Sequence, residues 1–338
     1  MKLKSIVSKN TVGKRLLGLL LAAFCCISCE SNIYSDQSDC PRGLSLRFVY
    51  DYNMEYANSF PKKVDCVSVY VFDEFGNYVA TYNEIGEKLQ DENYRMTINL
   101  DKGNYTLLAY GGMACNERSF YMPTFTTRAV SHIDDMYVEL DHKNFQSNVS
   151  LHPLFYGKLE VGIDFDDYVE ETVYLIKDTN NIRVVLQQMS GETIAASQFD
   201  FKITDYNTYL DNENNVVPRG EITYSPWVQG EEIVGSWDDA QTPVSAAWAE
   251  LSTSRLTTGT SPRLTITSKA NGREVLSIPL NTYLMLLKSQ LYEEMSAQEY
   301  LDRESEWTLI FFLDSGLRWI NTRIVINNWV VRLNHAEL

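Results

Sequence analysis

Residues 44–52 read Leu-Ser-Leu-Arg-Phe-Val-Tyr-Asp-Tyr, and apolar and polar side chains alternate through most of this stretch. Successive side chains of a β-strand point to opposite sides, so this alternation places the apolar residues on one face. The apolar face holds Leu44, Leu46, Phe48, Tyr50 and Tyr52, and the other face holds Ser45, Arg47 and Asp51. A strand of this kind packs on a core with one face and meets solvent with the other.

The same alternation recurs along the chain, between turns rich in Asp, Asn and Gly. It is found at 66–72, 94–100, 159–165, 172–176, 182–187, 199–204, 263–267 and 275–280. Short strands at this spacing predict an all-β protein built from β-sandwiches. All six tryptophans lie in the second half of the chain. This shift in composition favours two domains, an N-terminal sandwich at 40–155 and a C-terminal sandwich at 156–338.

A short helical insertion is expected in the C-terminal domain. Leu287, Leu291 and Met295 recur every four residues, which is the spacing of one helix face. Ser296 and Glu299 then have the spacing of a capping box, the start signal of a new helix. We therefore predict a helix, a break and a second short helix within 287–303.

The N-terminus has the pattern of an export signal. Residues 1–28 carry five basic side chains and no acid, and their apolar run at 16–27 is shorter than the roughly 20 residues that span a membrane. Cys26-Ile27-Ser28-Cys29 resembles a bacterial lipobox, in which the last cysteine is acylated, with palmitate for example, after cleavage. This predicts a signal peptide at 1–28, lipidation of Cys29 and a polar tether at 29–39. The alternative is an ordinary signal peptide with incidental cysteines.

The charge of the chain is strongly acidic, with 29 Lys+Arg against 45 Asp+Glu and a net charge of −16. Removal of residues 1–28 would leave 24 basic residues against the same 45 acids, which is a net charge of −21. No basic stripe is available to neutralise phosphates, so a nucleic-acid partner is excluded. Electrostatic docking on anionic lipid is equally disfavoured, and attachment to a membrane would have to come through Cys29.

Three cysteines remain after the signal and the lipidated residue are set aside: Cys40, Cys66 and Cys115. They allow at most one disulfide, which an exported protein can form. Cys66 lies in a strand pattern, where a buried free cysteine is common. The pairing we expect is Cys40 with Cys115.

No motif of known catalytic chemistry is present. The sequence lacks G-x-S-x-G, H-E-x-x-H and G-x-x-x-x-G-K-[ST], and has only four histidines. The acidic stretch at 211–215 lacks the glycine and the terminal glutamate of a calcium loop, which favours a solvated turn. We predict no enzyme, metal or cofactor. The tryptophans are expected in the core, and the alternative is a sugar-stacking face.

The chain finishes with a long β-rich segment at 317–333. Ile320, Thr322, Ile324 and Ile326 alternate on one face, and Trp329 follows after Asn327-Asn328, where the strand is expected to be interrupted. The usual strand has 5–6 residues. Two readings stay open: a permanent internal strand, or a strand donated to a partner.

Six segments of the sequence form an ordered set that is most specific near the C-terminus. They are Cys40-Pro41-Arg42-Gly43-Leu44, Val69-Tyr70-Val71-Phe72-Asp73, Leu154-Phe155-Tyr156-Gly157, Lys177-Asp178-Thr179-Asn180-Asn181, Gln298-Glu299-Tyr300-Leu301-Asp302 and Asn327-Asn328-Trp329-Val330-Val331. In this order they resemble the FimB-type fimbrial anchor family of Bacteroidales, and the resemblance covers essentially the whole mature chain.

The resemblance implies two transthyretin-like β-sandwiches and a lipoprotein on the surface of the outer membrane. In that family a lipidated subunit holds the base of a fimbria and helps to limit its length, while shaft subunits join by strand exchange. A fimbrial shaft subunit would then be the protein partner, and 317–333 the candidate donor strand. The rival interpretation is a surface glycan-binding or adhesin-type lipoprotein with no role in fimbria assembly.

Overall fold

The computed structural model describes residues 42–123, 132–164, 167–188, 190–236 and 243–332. The predicted signal peptide and tether, Cys29 and Cys40 lie outside these ranges.

The first half of the chain forms eleven strands, in agreement with the all-β prediction. They are β1 (Gly43–Val49), β2 (Cys66–Asp73), β3 (Tyr78–Ile85), β4 (Met96–Asn99), β5 (Gly103–Gly111), β6 (Phe120–Tyr121), β7 (Val138–Leu140), β8 (Gln146–Ser147), β9 (Phe155–Ile163), β10 (Tyr168–Tyr174) and β11 (Ile176–Lys177). A short helix α1 (Phe60–Lys63) and two 3₁₀ turns (Glu87–Gln90, Ile133–Asp135) connect them.

The second half adds eleven strands, two helices and a 3₁₀ turn (Ala196–Gln198). The strands are β12 (Thr179–Gln188), β13 (Phe199–Asp205), β14 (Tyr209–Leu210), β15 (Ile222–Tyr224), β16 (Val228–Ser236), β17 (Pro243–Ser254), β18 (Arg263–Ser268), β19 (Glu274–Pro279), β20 (Glu306–Leu313), β21 (Trp319–Ile326) and β22 (Trp329–Arg332). The helices are α2 (Leu280–Leu291) and α3 (Ala297–Arg303). Their break and the cap of α3 are confirmed, because Ser296 Oγ accepts the N–H of Glu299 at 3.1 Å.

The N-terminal sandwich packs a three-stranded sheet, β10-β1-β4, on a five-stranded sheet, β11-β9-β5-β2-β3. Strand β1 runs parallel to β10 and antiparallel to β4. Leu44 and Leu46 from the first sheet and Val69 and Leu107 from the second are completely buried in the core between them. This arrangement confirms the inward face predicted for the opening strand.

The C-terminal sandwich is larger and combines a six-stranded sheet with a five-stranded one. The strand orders are β16-β17-β12-β20-β21-β22 and β19-β18-β13-β15-β8. Leu186 and Phe311 of the first sheet share a buried cluster with Phe201 and Leu264 of the second. Trp307 belongs to this core with 1% of its surface exposed, and its Nε1 donates to Asn180 Oδ1 at 3.3 Å.

The two halves share strands and core beyond the boundary predicted at residues 155 and 156. Strand β9 pairs along its whole length with β5, and β10 pairs with β1, so the first sheets extend to Lys177. Gly157 allows a close backbone approach inside β9, because a Cβ there would lie 2.7 Å from the carbonyl oxygen of Tyr174. In the other direction, β8 joins the C-terminal sandwich by pairing with β15. The outward face of β2 is buried in the same cluster as the C-terminal core.

The predicted Cys40–Cys115 disulfide is wrong, because Cys115 is bonded to Cys66. Cys66 opens β2, and Cys115 follows the end of the neighbouring strand β5. The antiparallel pairing of Val67 with Gly111 brings the two cysteines to the same end of the sheet, with their Cα atoms 5.5 Å apart. Cys66 is buried as expected, but it is not a free thiol.

Removal of this disulfide should destabilise the protein measurably. The bond closes a loop with a sequence separation of 49 residues, and loops of this size give about 2–4 kcal/mol of stabilisation. We expect C66A, C115A and the double variant to lose similar amounts of unfolding free energy in urea titrations. C40S serves as the control and should unfold like the wild type. A loss in C40S equal to that in C115A would contradict the pairing.

Candidate functional site

The predicted C-terminal segment forms a β-hairpin at the edge of the six-stranded sheet. Strands β21 and β22 pair in register from Ile326 and Trp329 at the turn to Arg323 and Arg332. The two turn residues, Asn327 and Asn328, have φ angles of 43° and 70°, and positive φ at both positions is the signature of a type I′ turn. The interruption predicted at Asn327-Asn328 is therefore confirmed.

The turn is fixed to the body of the sheet through Asn327. Its backbone N–H donates to the carbonyl of Thr308 at 2.9 Å, and its side-chain Oδ1 accepts the N–H of Thr308 at 2.7 Å. Its Nδ2 reaches Glu304 Oε2 at 3.4 Å. These bonds hold the turn between β21 and β22 against β20 and the residues just before it.

A bulge in β21 breaks the predicted alternation. Ile326 pairs with Leu309 and Ile324 with Phe311, but Leu313 pairs with Trp319, so β21 has three extra residues in this interval. An odd number of extra residues inverts the side-chain parity. Trp319 therefore packs edge-on against Phe311 in the core, their ring centroids 5.5 Å apart.

The three isoleucines predicted on one face of the donor segment do not share that face. Ile324 and Ile326 are completely buried, whereas Ile320 is 39% exposed and Trp329 is 54% exposed. The prediction that Ile320 lies with the buried isoleucines is wrong, because the bulge separates them. The side chain of Thr322 lies outside the described part of the structure. In its own chain β21 is an internal strand, between β20 and β22.

Strand β22 is the outermost described strand of this sheet. A type I′ turn joins the carbonyl of Ile326 to the N–H of Trp329, so these two form a hydrogen-bonded pair. The next pair, Val325 and Val330, is then a non-hydrogen-bonded pair, whose backbone groups point away from each other. The N–H and carbonyl of Val330 consequently face the open edge. Its side chain is 54% exposed.

A second polar group lies where α3 meets the loops of the C-terminal sandwich. Arg255 forms a two-pronged ion pair with Asp302, with both N–O distances at 2.9 Å, and its Nη1 donates to the carbonyl of Asn214. Asp178 is completely buried beside this pair. Its Oδ1 lies 3.7 Å from Arg255 Nε and accepts the amide of Asn214 at 2.9 Å.

The buried Asp178 should make stability depend on pH near neutrality. Burial raises its pKa to about 7, while Arg255 and the Asn214 amide oppose the rise. An unfolded aspartate titrates near 3.9, so between these values the native state binds a proton that the unfolded state releases. Stability from this group is therefore present at low pH and is lost as the pH rises through 7.

The expected result is a fall in the unfolding free energy between pH 5 and pH 8 that is smaller in D178N than in the wild type. Between pH 5 and pH 8 the difference can reach about 3 kcal/mol, because the native state keeps its extra proton over roughly two pH units of this interval and each unit is worth 1.36 kcal/mol. Urea titrations at a series of pH values measure it. D101N is the control, because the Asp101 side chain is 86% exposed, and it should keep the wild-type slope. Identical slopes for D178N and wild type would contradict the assignment.

The acidic stretch at 211–215 forms a turn, as predicted from the sequence. Asp211 closes a turn, its Oδ1 accepting the N–H groups of Glu213 and Asn215 at 2.9 and 2.8 Å. Within the described ranges no group of three or more His, Cys, Asp or Glu side chains is placed to hold a metal ion. No helix in the described part of the chain is both long and apolar enough to span a membrane.

Comparison with known proteins agrees with the resemblance in the sequence. A relative among curated proteins is the minor fimbrium anchoring subunit Mfa2 of Porphyromonas gingivalis, 24% identical over 323 residues, with 92% of each chain covered. A solved Bacteroides thetaiotaomicron structure, described as a candidate adhesin, is 51% identical with a TM-score of 0.83 and covers 88% of this chain and 100% of its own. A second, described as a candidate polysaccharide-binding protein, is 32% identical with a TM-score of 0.76, covering 89% and 100%.

The family profile matches residues 37–335, which is most of the chain. Its description and the names of these relatives refer to anchoring, adhesion and binding, and none of them refers to a catalysed reaction. The chain therefore belongs to the family of fimbrillin-A associated anchor proteins Mfa1 and Mfa2.

Proposed function

We propose that this protein is a lipid-anchored subunit of the outer membrane that holds the base of a surface fimbria and limits its length. Family membership over residues 37–335 is the observation that carries the proposal. The two transthyretin-like sandwiches expected from the resemblance fit the observed pairs of packed sheets. The partner is the shaft subunit of the fimbria.

The joining surface that we propose is the open edge of β22, at the end of the segment predicted as a donor strand. Strand addition uses the unpaired backbone groups of an edge for affinity and alternate side chains for specificity. Val330 supplies an outward N–H and carbonyl, and Trp329 and Val330 supply exposed apolar surface. Strand β21 is a poor donor, because Ile324 and Ile326 are part of the core of their own domain.

Length control follows from the same arrangement. A subunit whose N-terminus stays on the membrane through Cys29 cannot release an N-terminal strand, so it offers the filament a single joining edge. Its incorporation therefore ends growth at the base.

Lipid attachment at Cys29 gives a direct prediction for the location of the protein. C29S removes the thiol that is acylated, so we expect the variant to move from the membrane fraction to the soluble fraction after ultracentrifugation. C40S keeps the acylation site and should stay with the membrane. A C29S variant that sediments with the membrane as the wild type does would contradict lipidation at this cysteine.

Co-purification tests the partner. The lipoprotein is extracted in detergent from fimbriated cells through an affinity tag, and the bound proteins are identified by mass spectrometry. Enrichment of the shaft subunit over an untagged strain is the expected result. If the tagged lipoprotein is abundant and folded but no shaft subunit co-purifies with it, the proposal is overturned.

Glycan binding is the second candidate function. It is favoured by the solved relative described as a candidate polysaccharide-binding protein, which is 32% identical to this chain. A surface lipoprotein that binds glycans would be an adhesin with or without a filament attached. Loss of shaft binding with retention of glycan binding in the same preparation would favour this second function.

A further inference from the structure

A cleft of about 260 Å³ lies on the outer face of the six-stranded sheet, over β17, β12 and β20. Its walls include Trp227, Glu250, Arg183, Asn181, Glu306 and Thr308. The volume is just below the roughly 300–1,000 Å³ of small-molecule sites. It would hold one or two rings of a longer ligand, with the remainder outside.

Cross-strand pairing places the polar walls of the cleft in rows. Thr308, Arg183 and Glu250 lie opposite one another on β20, β12 and β17. Glu306 and Asn181 form the adjoining row. Neighbouring strands lie about 4.8 Å apart, so donors and acceptors alternate across the floor at a fixed spacing on rigid elements.

The polar side chains hold one another in position. Arg183 Nη1 donates to Glu250 Oε1 at 3.0 Å, and the Asn181 amide donates to both carboxylate oxygens of Glu306 at 3.1 Å. Ser252 Oγ fixes the other end of Asn181 by donating to its Oδ1 at 2.8 Å. A ligand would meet side chains that are already oriented, which lowers the entropy cost of binding.

Trp227 supplies an apolar wall beside these rows. Its backbone N–H donates to the carbonyl of Glu250 at 3.0 Å, which fixes the residue at the mouth of the cleft, and 42% of its surface is exposed. Trp248 is less available for stacking with a ligand, because the guanidinium of Arg183 lies over its ring, 4.6 Å from the ring centre. An exposed tryptophan next to planar hydrogen-bonding groups matches a ligand with one apolar face and a polar rim.

The charges of the cleft favour a neutral ligand. Arg183 is already paired with two carboxylates, Glu250 and, at 3.3 Å, Glu232. Lys177 Nζ is paired with Glu306 Oε1 at 3.1 Å. An anionic ligand would have to displace one of these acids and would meet the others.

We propose that this cleft is a binding site for a neutral glycan. The C–H face of a pyranose ring packs on Trp227, and its hydroxyl groups donate to Glu250 and Glu306 and accept from the N–H groups of Arg183 and Asn181. The site gives the second candidate function a location, and it is distinct from the joining edge because β21 separates β22 from β20, the nearest strand of the cleft.

The test is isothermal titration calorimetry with the full-length, detergent-extracted protein. The probes are maltotriose, cellotriose, mannotriose and triacetylchitotriose, with sialyllactose as the anionic comparison. We expect at least one neutral trisaccharide to bind with a millimolar or lower dissociation constant. W227A should weaken that binding at least tenfold, and E250Q, which keeps the shape of the side chain, should weaken it in the same direction.

W329A is the matched control, since Trp329 is also exposed but lies on β22. It should bind the sugar as the wild type does, and W227A should retain the shaft subunit, so failure of the glycan site and failure of the anchor can be told apart. The proposal is overturned if none of the four neutral sugars binds, if sialyllactose binds more tightly than all of them, or if folded W227A and E250Q bind with wild-type affinity.

Discussion

Ile324→Ala is expected to lower the free energy of unfolding by about 2–5 kcal/mol, the range for large-to-small changes of a buried isoleucine. The Ile324 side chain is completely buried and pairs across the strands with Phe311, in the cluster that fills the C-terminal sandwich. Truncation of this side chain would leave a cavity between the two packed sheets of the C-terminal sandwich. Urea titration followed by far-ultraviolet circular dichroism measures the change.

Ile320→Ala is the control for this prediction, in the same strand. The bulge turns Ile320 outward, where it is 39% exposed, and surface substitutions of this kind usually change stability by no more than about 0.5 kcal/mol. Equal losses in the two variants would show that the isoleucines share one face. The observed register of β21 would then be wrong.

Val330→Pro is expected to weaken the complex with the shaft subunit by roughly tenfold to a hundredfold. Proline removes the outward N–H of Val330 and leaves a facing carbonyl without its donor, which costs about 1–3 kcal/mol, and each 1.4 kcal/mol is a factor of ten in affinity. The ladder between β21 and β22 should survive, because proline is tolerated at sheet edges. Surface plasmon resonance with immobilised anchor measures the dissociation constant.

Val330→Thr is the matched control, because threonine keeps the backbone N–H and a β-branched side chain. Its affinity should stay within about threefold of the wild type, since only exposed side-chain contacts change. If V330P binds as tightly as V330T while both remain folded, the edge of β22 is not the joining surface.

Local periodicity predicted about half of the described strands, because alternation reports directly which faces are buried. The strand at Gly43–Val49, the short helix Ala297–Arg303 and the turn at Asn327-Asn328 were apparent in the sequence, whereas the helix before them begins at Leu280, seven residues earlier than the predicted start at Leu287. Strand β17 escaped notice, since its inward residues Ala247 and Ala249 are small and have little β-propensity. The whole of β16, which pairs with it, was missed for lack of a clear pattern.

The errors arose where distant parts of the chain determine the result. The pairing of Cys66 with Cys115 depends on β2 lying next to β5, and disulfide connectivity cannot be deduced from sequence alone. The exposure of Ile320 depends on the register between β20 and β21.

The candidate sites could be predicted only in part, because they too depend on contacts between distant parts of the chain. The C-terminal segment was identified by its length, and its open edge at Val330 could be found only once the hairpin was seen. Trp227, Glu250 and Arg183 come from separate segments and are brought together by the order β16-β17-β12 of the sheet. No spacing in the sequence could have joined them.

Deletion of this protein in a fimbriated strain tests the anchoring role most directly. The fraction of shaft subunit in the cell-free medium is measured by quantitative immunoblotting, and filament lengths are measured by electron microscopy. The account predicts that most filaments are shed into the medium and are longer than those of the parent, and that the wild-type chain restores both properties. Filaments that stay on the cells with parental length would contradict it.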